Sequence, residues 1–559
     1  MMRTNLSGFL LLAVALLPSA ARAVSPPAAE APHGMVVTAQ HLASDVGREI
    51  LERGGNAVDA AVAVGYAEAV VNPCCGNIGG GGFMLLHLKD RGDIAVNFRE
   101  TAPAAASAGM YLDAAGNAVP GASLFGYKAA GVPGTVLGLD SVLAEYGRLS
   151  RAQVMAPAIR LAREGFVLAK GDTDILGPTT ERFRRDPALA RIFLRPDGTA
   201  LKPGDRLVQN DLARTLAGIA RLGPDYFYRG PVAAAAATAS AAQGGLLTQA
   251  DFSGYRISEA KPLRCSYRGY AFLVAPPPSS GGVTLCELLN ILEGYDLKAL
   301  GFHSAAATRV MIEAMARAYA DRNDSLGDPA FVDNPVDKLL SKTYAAGIRA
   351  DIDKARRPPV SLGAAEKPET THYSVIDSEG NAASVTYTLN GLFGAVVLVP
   401  GTGILLNDEM DDFTVKPGVP NQFGLVQGVN NAIAPGKHPL SSMSPTIVLK
   451  DGKPFLVLGS PGGSRIITAT LEVAINVIDY GMEPRAAVDA PRIHYQGLPD
   501  RVFVEPGALS PDTRNILEPR GYHFEEQAPW CAVELVEVGA ATLYGASDDR
   551  RPAGSATGY

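Results

Sequence analysis

Residues 373–376 and 382–389 are rich in β-branched and aromatic side chains suited to extended backbone, and Asp377-Ser378-Glu379-Gly380-Asn381 between them supplies turn chemistry. The pattern predicts a hairpin with Thr370 and Thr371 at the very start of its first strand. A second hairpin is predicted at 446–449 and 455–458, around Asp451-Gly452. Alternation over 94–98 predicts a strand that delivers Arg99 at its end, and 395–399 reads as a further strand. Helical signals run over 41–53, closed by Gly54-Gly55, and over 57–71, capped by Asn56 and stopped by Asn72-Pro73. The second of these is apolar nearly all round, which predicts burial. Further helices are expected at 133–146, 152–164, 232–243, 283–292 and 465–480. No internal repeat appears, and no linker is long enough to divide the chain into independently folding domains.

Length and composition add a large core: 559 residues at 47% hydrophobic composition. Residues 1–23 read as an export signal, with Arg3 as the positive region, an apolar core at 9–17 and the cleavage site Ala21-Arg22-Ala23. That core is too short to span a bilayer, although a retained anchor is the alternative. An exported product, periplasmic or secreted, is expected. Its removal takes away two arginines and no acids, so the charge becomes −7 − 2 = −9. Such a balance gives no electrostatic case for nucleic acid or anionic lipid. The five cysteines are too few for a disulfide scaffold and lack zinc spacing. Cys74-Cys75 reads as buried, inert thiols, with redox activity as the alternative. The eight histidines show no ligand spacing, so neither a catalytic metal nor a cofactor is implied.

The chemistry concentrates on the start of the first hairpin. A threonine hydroxyl is a weak nucleophile without an adjacent base, and a chain's own terminal amine, pKa about 7.7–8.0, supplies one. Thr370 gains that amine only if the peptide bond after Glu369 is cut. The stretch 354–368 is charged and proline-rich, hence expected to be exposed and cheap to cleave. Ser258-Glu259-Ala260-Lys261 fits the S-x-x-K pattern of serine acylases, but its companion motifs are missing and chance is the better reading. The run Gly79–Gly82 lacks the lysine of a phosphate loop, so close backbone packing beside a site is expected.

The motifs TTHYSV, TYTLN, GILLN..MDDF, PLSSMSPT and GSPGGSR, with GGGGFM, FRETAP, PPPSSGG and LYGASD, occur in an order that resembles the γ-glutamyltranspeptidase family over nearly the whole mature chain. The resemblance implies a four-layer αββα N-terminal-nucleophile hydrolase sandwich, assembled from a large piece, 24–369, and a small piece, 370–559. It implies Thr370 as nucleophile, Thr388 as the residue that orients it, and Gly462 and Gly463 as the oxyanion turn. Arg99, Ser441 and Ser442 match the positions that hold a substrate α-carboxylate. Asn390, Glu409 and Asp412 match those that hold its α-ammonium group. The partners implied are γ-glutamyl donors such as glutathione and water or amine acceptors, with the two pieces paired to each other. In the covering loop, 417–424, many bacterial relatives carry a tyrosine where this chain has Phe423, which cannot make the closing hydroxyl bond. Thr386 is read as structural, and nothing requires His372 to act as a base. The rival readings are a glutaryl acylase on the same scaffold and an uncut binding protein for amino acids or peptides.

Overall fold

The computed structural model describes residues 25–354 and 370–559. The expected export signal, Glu369 and nearly all of the stretch before it lie outside the described residues.

Two seven-stranded antiparallel sheets face each other. One runs Ala29–Ala31, Leu543–Ser547, Glu534–Val538, Lys453–Leu458, Thr446–Lys450, Tyr270–Val274, Leu263–Tyr267. The other runs Ser555–Gly558, Met35–Thr38, Thr371–Ile376, Ala382–Thr388, Gly81–Leu88, Gly92–Asn97, Ser258–Ala260. Helices His41–Glu52 and Ala57–Val71 cover the outer face of the second sheet; Ser280–Leu292 and Pro484–Asp489 cover that of the first, with Ile466–Ile478 and Ala305–Ser325 packed on Ser280–Leu292. The order is therefore helix, sheet, sheet, helix, the four-layer sandwich expected.

The predicted hairpin sits at the centre of the second sheet, with Tyr373 paired to Val385 and His372 to Thr386. Because successive strand residues point to opposite faces, its side chains divide cleanly. Tyr373, Val375, Ala383 and Val385 join the core under the helix Ala57–Val71, whereas Ile376 and Ala382 join the core between the sheets. Thr370, His372, Ser374, Ser384, Thr386 and Thr388 share that inter-sheet side by register. Ala57–Val71 is buried along its whole length, and Asn56 closes a capping box with Asp59.

Close approach explains the glycine run. A Cβ on Gly79 would lie 2.0 Å from the Leu405 carbonyl oxygen, and one on Gly80 2.0 Å from that of Thr388. Ser258-x-x-Lys261 falls at an exposed edge strand, far from the chemistry expected of its pattern.

Two expectations need correction. Only Leu398–Val399 of 395–399 is a strand, because Val396 turns to φ +53° and Gly394 to φ +58°, which folds the segment back over Leu406. The cysteines are not all thiols: Cys265 bridges to Cys286, and Cys74 to its neighbour Cys75. A separation of 21 residues hid the first pair, which arises where strand Leu263–Tyr267 packs on helix Ser280–Leu292.

Candidate active site

Thr370 precedes the central strand and is buried, with its hydroxyl 3.2 Å from the Thr388 hydroxyl. Thr388 Oγ1 accepts both the Thr370 hydroxyl and, at 2.8 Å, the Asn390 backbone N–H, which holds it facing Thr370. Asn390 takes φ +81° and donates its side-chain amide to the Asp408 carbonyl, 3.1 Å. One register step along, His372 Nδ1 meets Thr386 Oγ1 at 2.8 Å and Nε2 meets Ser374 Oγ at 3.1 Å. Burial pushes the imidazole down to about 3, so it stays neutral, a strut rather than a base. Thr386 is part of the same strut.

A cavity brings together Arg99, Thr370, Thr388, Asn390, Asp412, Phe423, Ser441, Ser442 and Gly463. Glu409 lies behind its wall and reaches the site through Arg99. That guanidinium is fully buried, pairs with Glu409 at 2.6 Å and with Asp412, and has Glu100 at 3.5 Å. Burial opposes its charge, but Glu409, Asp412 and Glu100 outweigh that and hold it above its ordinary value. Burial in turn raises Glu409 and Asp412, and pushes Glu100 up to about 8, against the pull of Arg99. Three carboxyls thus crowd one cation, an arrangement that favours a further positive group. The acidic run is a buried 3₁₀ turn, Glu409–Asp412, pinned by the Asn407 side chain to the Glu409 N–H and to Gly131.

The oxyanion candidates occupy the turn between strand Lys453–Leu458 and helix Ile466–Ile478. Gly462 adopts φ +133° and Gly463 φ +57°, conformations open to glycine. Neighbours enforce the same choice: a Cβ on Gly462 would meet Cys531 Sγ at 2.1 Å, and one on Gly463 the Phe423 ring at 2.5 Å. Phe423 therefore lies on the turn and lines the cavity. The segment expected to cover the site is held without a tyrosine hydroxyl, since Asp411 accepts the Gln422 N–H (2.9 Å), Asp408 accepts the Gln422 amide (3.2 Å), and Gln496 donates to the Phe423 carbonyl (3.1 Å).

With this geometry established, comparison with known proteins is direct. The profile of the gamma-glutamyltranspeptidase family matches residues 43–558. The chain belongs to that family. The glutathione hydrolase proenzyme of Pseudomonas sp. (strain A14) is 54% identical over 546 residues, 95% of each chain. That of Escherichia coli (strain K12) is 47% identical over 536 residues, 95% of this chain and 92% of its own. Among solved structures, cephalosporin acylase from Bacillus halodurans matches with a TM-score of 0.84 at 27% identity, over 98% of this chain and 99% of that one. The gamma-glutamyltranspeptidase family and that acylase thus share the four-layer fold seen here.

In this gamma-glutamyltranspeptidase family member the structure adds a residue that no sequence signal singled out. Arg322, buried in helix Ala305–Ser325, donates from Nη2 to Ser442 Oγ (3.0 Å), from Nε to Ser280 Oγ (2.9 Å) and from Nη1 to Gln427 Oε1 (3.1 Å). Burial pushes it down to about 10, still charged at neutral pH. Ser280 Oγ in turn donates to the Ser441 carbonyl at 2.6 Å, so one cation aims both serines. Arg322→Ala is expected to raise the donor KM about tenfold, in line with the roughly 1.5–3 kcal/mol of a charged hydrogen bond. Arg322→Lys, which keeps the charge and loses the fork, should recover part of it. Steady-state kinetics on the two variants check this.

Proposed function

We propose that the chain is a γ-glutamyltransferase and glutathione hydrolase that matures by cutting itself between Glu369 and Thr370. The Thr370 hydroxyl attacks the Glu369 carbonyl carbon; the amide C–N bond breaks, an ester forms, and water opens it to leave a Thr370 amine. The same hydroxyl, deprotonated by that amine and oriented by Thr388, then attacks the γ-carbonyl of glutathione or another γ-glutamyl amide. Backbone N–H groups at Gly462 and Gly463 face the developing oxyanion. The γ-glutamyl ester passes to water or to an amine, which predicts ping-pong kinetics.

The observation that carries this reading is the 3.2 Å contact of Thr370 with Thr388 in a cavity shared by Arg99, Asp412, Asn390, Ser441 and Ser442. In the proposed pocket, Arg99 and the serines take the donor's α-carboxylate. Its α-ammonium goes to Asn390 and Asp412, with Glu409 adding negative charge from behind the wall through Arg99. Arg99 must then divide its bonds between the incoming carboxylate and the acids that hold it. N-terminal sequencing of the smaller fragment tests the cut: Thr370 as first residue is expected, and an active, unbroken chain would overturn it.

Likeness to an acylase supports a second reading, cleavage of glutaryl side chains. A glutaryl group has no ammonium to neutralise Glu409 and Asp412, which weighs against it. A γ-glutamyl anilide is expected to turn over at least about tenfold faster than its glutaryl counterpart, the worth of roughly 1.4 kcal/mol. Parity between the two would favour the acylase. Residues 1–23 are proposed as an export signal that delivers pieces 24–369 and 370–559 to the periplasm or medium, with Val24 expected at the N-terminus of the larger piece. Among the described residues no helix is long and apolar enough to cross a membrane.

A further inference from the structure

The adjacent cysteines take no part in the chemistry above. We infer that Cys74–Cys75 is a thiol-reversible switch, a disulfide whose opening loosens the support of both Thr370 and Thr388. The pair lies in the turn after the buried helix Ala57–Val71.

Three links tie it to the nucleophile. The Asn72 carbonyl accepts the Cys75 N–H (3.1 Å), and Asn72 Nδ2 donates to Glu68 (2.8 Å) and to Thr371 Oγ1 (3.3 Å), the residue beside Thr370. The Cys74 carbonyl accepts the Phe393 N–H at 2.9 Å, just beyond Asn390. The Cys75 carbonyl accepts Asn77 Nδ2 (3.2 Å), whose Oδ1 accepts the Gly80 N–H (2.8 Å). Gly80 is the residue packed directly under the Thr388 carbonyl. A bond between neighbouring side chains closes a small ring that restrains the backbone of both residues. Opening it frees that backbone at the point where all three links begin.

The surroundings favour exchange. Arg551 Nη1 lies 3.9 Å from Cys74 Sγ and 3.7 Å from Cys75 Sγ, and a guanidinium there stabilises a departing thiolate. Both side chains are buried, and Cys74 lines a narrow cleft with Asn72, Asp172 and Phe393, which selects a small reductant. A small thiolate attacks one sulfur; the Cys74–Cys75 bond breaks and the second cysteine leaves as thiolate beside Arg551. A second thiol attacks the external sulfur of the mixed disulfide. Two thiols are oxidised to their disulfide, two electrons pass to the pair, and the two thiol protons end on Cys74 and Cys75. Glutathione belongs to this reductant class, and in naming it the inference rests on the proposed function.

The test uses the matured full-length enzyme, reduced with a water-soluble phosphine and assayed unalkylated with a γ-glutamyl anilide, while a separate aliquot is alkylated for mass mapping. Reduction is expected to label Cys74 and Cys75 and to lower turnover about tenfold, modest beside the ~10²-fold of a 1 Å misplacement. Reoxidation with diamide should restore it. Cys74→Ser with Cys75→Ser, which keeps Cys265–Cys286, is expected not to respond, and Arg551→Gln to slow reduction while leaving the oxidised turnover unchanged. Turnover indifferent to mapped reduction overturns the inference. So does a response that persists in the double variant, or a pair found open before treatment or closed after it. An oxidised enzyme that ignores the anilide strikes the proposed function instead. The switch is then judged by thermal melting, expected to fall on reduction in the native chain but not in the double variant, and overturned if the two behave alike.

Discussion

Thr370→Ala is expected to leave the chain uncut and to lower γ-glutamyl anilide turnover by about 10⁴-fold or more, the loss usual for removal of a covalent nucleophile. One hydroxyl would serve both reactions, so the two losses should arrive together, read by mass spectrometry and by initial rates on the same preparation. The fold should survive, because the pairing of strand Thr371–Ile376 with both its neighbours is made by backbone groups that the substitution leaves in place. Thr388→Ala is the graded companion. It removes the hydroxyl that faces Thr370 while the strand pairing of Thr388 with Gly81 remains, so maturation and turnover should both slow without vanishing. A Thr370→Ala chain that still matures, or still turns over at the native rate, would end the assignment.

Replacing Arg99 by alanine should be nearly as damaging by another route. Its guanidinium is the charge against which Glu409, Asp412 and Glu100 are held in the interior. Breaking a buried pair by removing one partner costs about 3–5 kcal/mol, since the other is left uncompensated. The variant should therefore unfold earlier in urea and bind donors poorly, with the surviving acids pushed further toward their neutral forms. Glu409→Gln separates the two effects. It lightens the acidic excess, so stability should hold while donor KM rises; equal loss of both would mean that Glu409 serves packing alone.

Much of this architecture could be read from the chain before any coordinates. The hairpin announces itself through alternating residues around Asp377–Asn381, and Asn56 and Asn72-Pro73 bound the buried helix where they should. Thr370 stood out because hydroxyl chemistry at a strand start needs an amine. Other features depend on contacts distant in sequence. Asp408–Asp412 has the composition of a solvated loop, and its burial rests on partners distant in sequence, Arg99 for Glu409 and Asp412 and Ser123 for Asp411. Arg322 sits on a helix with charged residues on several faces, and only the turn carrying Ser442 distinguishes it. Residues 395–399 have strand composition, yet two left-handed residues fold them over. The lid was expected to lose a bond at Phe423; its anchorage through Gln422 and Gln496 lies in backbone groups that no side-chain pattern displays.

The sheets carry one further implication. Strand Thr371–Ile376 pairs with Met35–Thr38, Ala382–Thr388 with Gly81–Leu88, Thr446–Lys450 with Tyr270–Val274, and Ser555–Gly558 again with Met35–Thr38, so segments before and after position 370 share both layers. The segment after position 370 holds four adjacent strands of the first sheet and the segment before it three of the second, but neither completes a sheet alone. Once severed, the halves should behave as a single cooperative body that melts in one transition, and fragments synthesised separately should fail to assemble by simple mixing. The nick changes the covalent count while leaving the folding unit whole.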